Sequence, residues 1–161
     1  MSLAVDVLAG GVAGGTSIMY AALGETVSER SGIINLGVEG SMLVGALSAY
    51  AIGVESGNPW TGALAGALAG GLLASVHAYL VVYRGASQMA SGLSLLFLAL
   101  GLTSLFGSSY VGQAVVGFDT WDIPGLSSIP VLGPILFQHD PLLYLSYLLV
   151  PAVWFVLFRT R

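Results

Sequence analysis

Apolar stretches about as long as a bilayer-crossing helix alternate with short polar breaks along this chain. The first covers residues 3–23 and is interrupted by Asp6 and by Gly10, Gly11, Gly14 and Gly15. Four more follow at 33–53, 60–83, 89–110 and 142–158. About twenty apolar residues at a rise of ~1.5 Å each span the hydrocarbon core, so the pattern predicts five transmembrane helices. The first is expected to fray at its start, near Asp6. Gly57, Asn58 and Pro59 break the chain between the second and third stretches, and Arg84 and Gly85 between the third and fourth. Residues 111–140 form the one long connection, with Asp119, Asp122, Asp140 and prolines at 124, 130 and 134. Pro151 withdraws a backbone donor inside the last stretch and predicts a bend there. The expected fold is all-α, a single polytopic membrane domain over residues 1–161.

Composition agrees, with 56% hydrophobic and 7% charged residues, against about a quarter charged in soluble domains. A secretory signal is the competing reading of the first stretch, but no Lys or Arg precedes Arg30, so its basic leader is missing. Charge then orients the chain. Arg30, Arg84, Arg159 and Arg161 all fall on one side of the predicted spans. The positive-inside rule puts that side in the cytoplasm, the N-terminus outside and residues 111–140 outside as well. Trp60, Tyr110, Trp121 and Tyr144 then lie at the outer interface and Tyr83 at the inner one, as an aromatic belt requires.

Some chemistry is excluded. The chain has no cysteine and only His77 and His139 as imidazoles, so a metal site is not expected. It has no lysine, which a Walker-type phosphate loop needs, so ATP hydrolysis by that route is not expected either. His77 reads as a packed, hydrogen-bonded residue of the bundle rather than a proton relay. Gly62, Gly66 and Gly70 recur every four residues, the spacing that lets helices approach closely in lipid.

Residues 24–45 are different. Glu25, Glu29, Arg30, Asn35 and Glu39 crowd into fifteen positions of a chain with twelve charged residues, among Gly32, Gly37, Gly40 and Gly45. Glu25, Glu29 and Arg30 fall in the first cytoplasmic turn, where an ion pair in a solvated loop is the plain alternative to a role at a gate. Asn35 and Glu39 share a face if that segment is helical. Glu39 then lies two turns into an apolar span, where an ionised group needs a partner or water. Gly37 and Gly40 suggest a locally unwound or closely packed helix.

Leu23-Gly24-Glu25 followed by Ser28-Glu29-Arg30-Ser31-Gly32-Ile33-Ile34-Asn35-Leu36-Gly37-Val38-Glu39-Gly40 resembles the permease subunits of ABC importers for branched-chain amino acids, simple sugars and nucleosides. Within that superfamily it is most similar to the nucleoside-type permeases. Ser87-Gln88-Met89-Ala90-Ser91-Gly92-Leu93 and Ala99-Leu100-Gly101-Leu102-Thr103 resemble the start of a later core helix of the same group, with Leu96 where asparagine is frequent. The resemblance implies a translocation path or gate at Asn35, Gly37, Glu39, Gly40, Gln88 and Ser91. It implies a cytoplasmic gate or ATPase contact at Glu25, Glu29 and Arg30, and docking of a binding protein at Asp119, Trp121 and Asp122.

The implied partners are an ABC ATPase subunit that carries the ATP, a second permease subunit, an extracytoplasmic substrate-binding lipoprotein and the inner membrane. Nucleic acid is not among them, and the permease itself holds no cofactor. Phe158-Arg159-Thr160-Arg161 is similar to the entry to the family's cytoplasmic coupling segment, so the chain is expected to be the N-terminal part of a permease about twice as long. Nucleosides are the first expectation for cargo, then simple sugars, then branched-chain amino acids. A non-transporting scaffold would explain the Gly62 series but not Glu39. A proton-coupled carrier would have only Glu39 and His77 to work with.

Overall fold

The computed structural model describes residues 3–159; Met1, Ser2, Thr160 and Arg161, the last two belonging to the expected coupling entry, lie outside the described residues. In chain order the elements are α1 (Leu3–Arg30), α2 (Val38–Ser56), α3 (Pro59–Ala78) with a π turn over Tyr79–Tyr83, and α4 (Gln88–Gly107) with a 3-10 turn over Ser108–Tyr110. Then come β1 (Trp121–Asp122), α5 (Leu132–Leu136), β2 (Gln138–His139) and α6 (Pro141–Arg159). The chain forms two compact units, Ser28–Gly117 and the remainder on either side of it.

In the Ser28–Gly117 unit, α2 lies between α3 and α4. Gly57, at φ +64, closes α2 by donating its N–H to the Gly53 carbonyl, a left-handed end that glycine adopts freely. Asn58 then caps α3 by accepting from the Trp60 N–H at 2.9 Å, with Pro59 in the first turn where no donor is needed. The reversal lays the small-residue stripe of α3 on one of α2. A Cβ on Gly62 would sit 2.6 Å from the Ala49 carbonyl, and one on Gly66 2.8 Å from that of Gly45. One on Gly70 would sit 3.0 Å from the Ser41 carbonyl. The expected close approach is therefore present, with Ser41, Gly45, Ala49 and Gly53 as its other half. On the far side of α2, Gly40 meets Leu95, Leu96 and Ala99 of α4.

Large side chains point the other way. Leu64, Leu68 and Leu72 of α3 and Phe97 and Leu105 of α4 are all at least 60% exposed. Small residues inside and large apolar ones outside is the arrangement that lipid, rather than water, rewards.

In the other unit, α6 begins after Asp140, whose Oδ1 accepts from the Leu143 N–H at 2.9 Å. Tyr20 of α1 donates to the Leu142 carbonyl at 2.7 Å, and Leu143 and Ser146 are fully buried. The expected loop 111–140 contains structure that hydropathy did not suggest. Trp121 pairs with His139 and Asp122 with Gln138 in a two-stranded antiparallel ribbon. Tyr144 ties it to α6, donating to the Trp121 carbonyl at 2.6 Å and accepting from the His139 N–H at 3.2 Å.

Among the described residues four helices are long and apolar enough to cross a membrane: Leu3–Arg30, Pro59–Tyr83, Gln88–Tyr110 and Pro141–Arg159. The fold is the expected all-α polytopic one, and two expectations change in detail. The first helix runs unbroken through Asp6 and past residue 23 to Arg30. The second begins at Val38, not at residue 33, and its 19 residues carry Glu39 and Glu55 near the two ends, which dilutes their hydropathy. The last runs Pro141–Arg159 with Pro151 inside it, close to its expected limits.

Candidate functional site

The charged and glycine-rich stretch folds as a helix end, a pinned loop and a helix start. α1 closes with the Gly32 N–H on the Glu29 carbonyl at 2.9 Å and the Ile33 N–H on that of Ser28 at 3.2 Å. Gly32 stands at φ +85, completing a left-handed helix end that satisfies carbonyls of the last turn. Asn35 turns the chain again, its Oδ1 accepting from the Gly37 N–H at 3.0 Å, and the Asn35 carbonyl accepts from the Val38 N–H at 3.2 Å.

Two turns in seven residues leave no room for helix. Asn35 and Glu39 therefore do not share a helical face. Glu39 is exposed in the first turn of α2 rather than two turns deep, at a position where the helix dipole favours a carboxylate. Glu25, Glu29 and Arg30 lie on the last two turns of α1, not in a loop, with Glu29 and Arg30 exposed.

Gln88, the first residue of α4, clamps this loop. Its Oε1 accepts from the Ile34 N–H at 2.8 Å and its Nε2 donates to the Gly32 carbonyl at 3.1 Å. One turn on, Gly92 touches the loop directly: a Cβ there would lie 2.9 Å from the Gly37 nitrogen and 3.0 Å from the Leu36 Cβ. A Cβ on Gly37 would in turn lie 2.9 Å from the Gly92 carbonyl oxygen. Backbone packs on backbone here, which only paired glycines permit. Ser91, between Gln88 and Gly92, shares a 3.1 Å hydrogen bond with Nδ1 of His77 on α3. Both are buried, and the Nε2 of His77 is buried with no partner.

Of the expected path residues, Asn35, Gly37, Gly40, Gln88 and Ser91 thus meet at one end of the α2–α3–α4 unit, and Glu39 lies beside them facing out. Gly92 and His77 belong to the same cluster. Gly92 stood inside the quoted motif, and its signal was a second small residue opposite Gly37. Arg30 and Arg84 flank this end. Trp121 and Asp122 are exposed on the two-stranded ribbon, with Asp119 just before it. The cluster offers hydrogen-bonded positioning of a loop, and its Ser91–His77 contact is buried within the helices.

The clamp has a measurable consequence. Gln88→Ala removes two hydrogen bonds to backbone worth ~1 kcal/mol each. Amide exchange at Ile34 should then accelerate about tenfold or more, while exchange within α3 stays as it is. Unchanged protection at Ile34 would remove Gln88 from this role.

Residues 7–161 match the family described as "Branched-chain amino acid transport system / permease component". A putative glucose ABC transporter permease protein of Haloferax volcanii is 42% identical over 165 residues, covering 100% of this chain and 50% of that protein. A nucleoside ABC transporter permease protein of Lactococcus lactis is 36% identical over 91% of this chain and 50% of its own length. A guanosine ABC transporter permease protein of Bacillus subtilis is 35% identical over 89% and 49%. The chain thus spans about half the length of the relatives it matches. No solved structure matches it.

Proposed function

Since the chain belongs to the branched-chain amino acid transport system permease-component family, and is a multi-pass protein of the inner membrane, we infer that it builds part of the translocation path of an ATP-driven importer for nucleosides. The observation that carries the reading is the match over residues 7–161. The motif at residues 24–40 and the two nucleoside-type relatives support this cargo. A simple sugar is the second reading, favoured by the 42% identity to a putative glucose permease. Both cargoes are neutral rings, and among the described residues no arginine lies deep within a helix to attract an anion.

In this reading the permease is not catalytic, and ATP is hydrolysed on a separate ATPase subunit. The Gln88-clamped loop, with Asn35, Gly37, Gly40 and Ser91, forms the inner gate, and Glu39 faces its mouth. Glu25, Glu29 and Arg30 meet the ATPase or brace that gate. Their end of the unit is cytoplasmic by the positive-inside rule, since Arg30 and Arg84 flank it. Asp119, Trp121 and Asp122 dock an extracytoplasmic binding lipoprotein, and a second permease subunit completes the path.

Uptake tests the proposal. Labelled guanosine should enter cells only when the permease is produced with both its ATPase and its binding protein. Glucose entering in place of guanosine under the same dependence would install the second reading. Uptake indifferent to either partner would overturn the importer.

A further inference from the structure

At the opposite end of the unit from the Gln88 clamp, a cleft of about 270 Å³ opens between α2 and the end of α4. Leu47, Tyr50, Gly107, Tyr110, Val111 and Gly112 line it. We propose that this cleft is a ring-binding subsite for the transported solute. The inference rests on the transport reading above and adds to it a place and a chemistry.

The two tyrosines carry the argument. Their rings stand edge to face, centroids 6.5 Å apart and planes at 89°. Each phenol is tied at its far end: Tyr110 donates to Oε1 of Glu55 at 2.6 Å, and Tyr50 donates to the Gln113 carbonyl. Gln113 is itself held, its Nε2 donating to the Ser109 carbonyl at 2.8 Å and its N–H to that of Tyr110 at 3.2 Å. The hydroxyls are used for support, so what the rings offer the cleft is their faces and edges. Their orientation is set before any ligand arrives, which lowers the ordering cost of binding.

Glycine makes the rest of the wall thin. Gly107 and Gly112 put backbone, not side chain, beside the rings, and Gly112 stands at φ +79, where a side chain is strained. None of the lining residues is charged, and Glu55, bonded to the Tyr110 hydroxyl, disfavours an anion.

The volume falls just below the ~300–1,000 Å³ of whole small-molecule sites and the cleft is open, which fits a shallow platform against which one ring of a solute lies. Aromatic faces hold flat rings by stacking and by contact with C–H edges. The chemical class is therefore a neutral ring with a flat π or C–H face. A nucleobase and a sugar ring both qualify, and those are the cargoes named for the relatives.

The test uses the complete permease in detergent, with ¹³C-labelled tyrosine rings assigned through Tyr50→Phe and Tyr110→Phe. Adenosine, glucose and a short-chain alkane are added in turn. The ring signals of Tyr50 and Tyr110 should shift saturably with adenosine or with glucose, and the other tyrosines should not. Adenosine alone marks a base-stacking subsite and glucose alone a sugar platform. Shifts with neither, or with the alkane only, overturn the proposal.

Transport supplies the second readout. Tyr50→Leu and Tyr110→Leu should raise KM about tenfold, the loss expected for one stacked ring. Unchanged KM in both Leu variants, with uptake still dependent on ATPase and binding protein, removes the cleft and leaves the importer standing. Saturable ring shifts without partner-dependent uptake would do the reverse.

Discussion

Gly66→Ala should lower the stability of the solubilised permease by about 1–3 kcal/mol, the usual cost of forcing a methyl into a packed seam. The added carbon would lie 2.8 Å from the Gly45 carbonyl oxygen and 2.9 Å from the Ala49 Cβ. Neither neighbour is the loose end of a side chain, so α2 and α3 must separate along the whole seam. Gly62→Ala should act the same way against Ala49 and Gly53. Gly71→Ala is the counterpart on the same helix, with nothing within 4 Å of the new carbon. There the substitution only removes backbone freedom from the unfolded chain, and stability should rise by ~0.5–1 kcal/mol. Thermal unfolding followed by tryptophan fluorescence measures all three. Equal effects at Gly66 and Gly71 would mean that helix propensity, and not the seam, sets the stability.

The seam shows what hydropathy and spacing reveal. Gly62, Gly66 and Gly70 were legible as a packing stripe because three glycines at a spacing of four stand out in an apolar run. The complementary stripe mixes Ser41, Gly45, Ala49 and Gly53, and such a mixture looks ordinary until α3 lies against it. Helix limits failed where apolar residues carry no helix. Ile33, Ile34 and Leu36 extend the hydropathy of α2 backwards, yet Gly32 and Asn35 end one helix and delay the next. Those two residues were the readable signals, a glycine after a basic last turn and an asparagine just before a helix.

The two-stranded ribbon was out of reach. Two strands of two residues each have no room to alternate, and the Trp121 carbonyl is held by Tyr144, 23 residues further on. The clamp was hidden for a similar reason. The resemblance implies a path role for Gln88, but an uncharged amide gives no hint that both of its ends are spent on the backbone of one loop. The site was therefore legible as a set of residues before it was legible as a set of contacts.

Gly92→Ala should cut uptake at least tenfold without loss of protein from the membrane. The new methyl would lie 2.9 Å from the Gly37 nitrogen, 3.0 Å from the Leu36 Cβ and 3.1 Å from the Leu36 carbonyl carbon. Two of those three are backbone, so the loop must move and not merely repack. It is held in place by Gln88 through Ile34 and Gly32, and the neighbouring Ser91 is held by His77. Displacing the loop by even a few tenths of an ångström works against these short, directional bonds, which weaken steeply once stretched or bent. The helices themselves keep their seam, because Gly92 touches the loop and not α3. Loss should therefore fall on transport before it falls on folding.

Gly101→Ala, nine residues further along α4 with nothing within 4 Å, should keep wild-type uptake. Initial rates per inserted permease, paired with amide exchange across residues 32–37, make the measurement. Faster exchange with normal uptake would show a loop that transport does not use. Normal values for both would mean that α4 shifts to accept the methyl and that the close approach of Gly37 and Gly92 is dispensable.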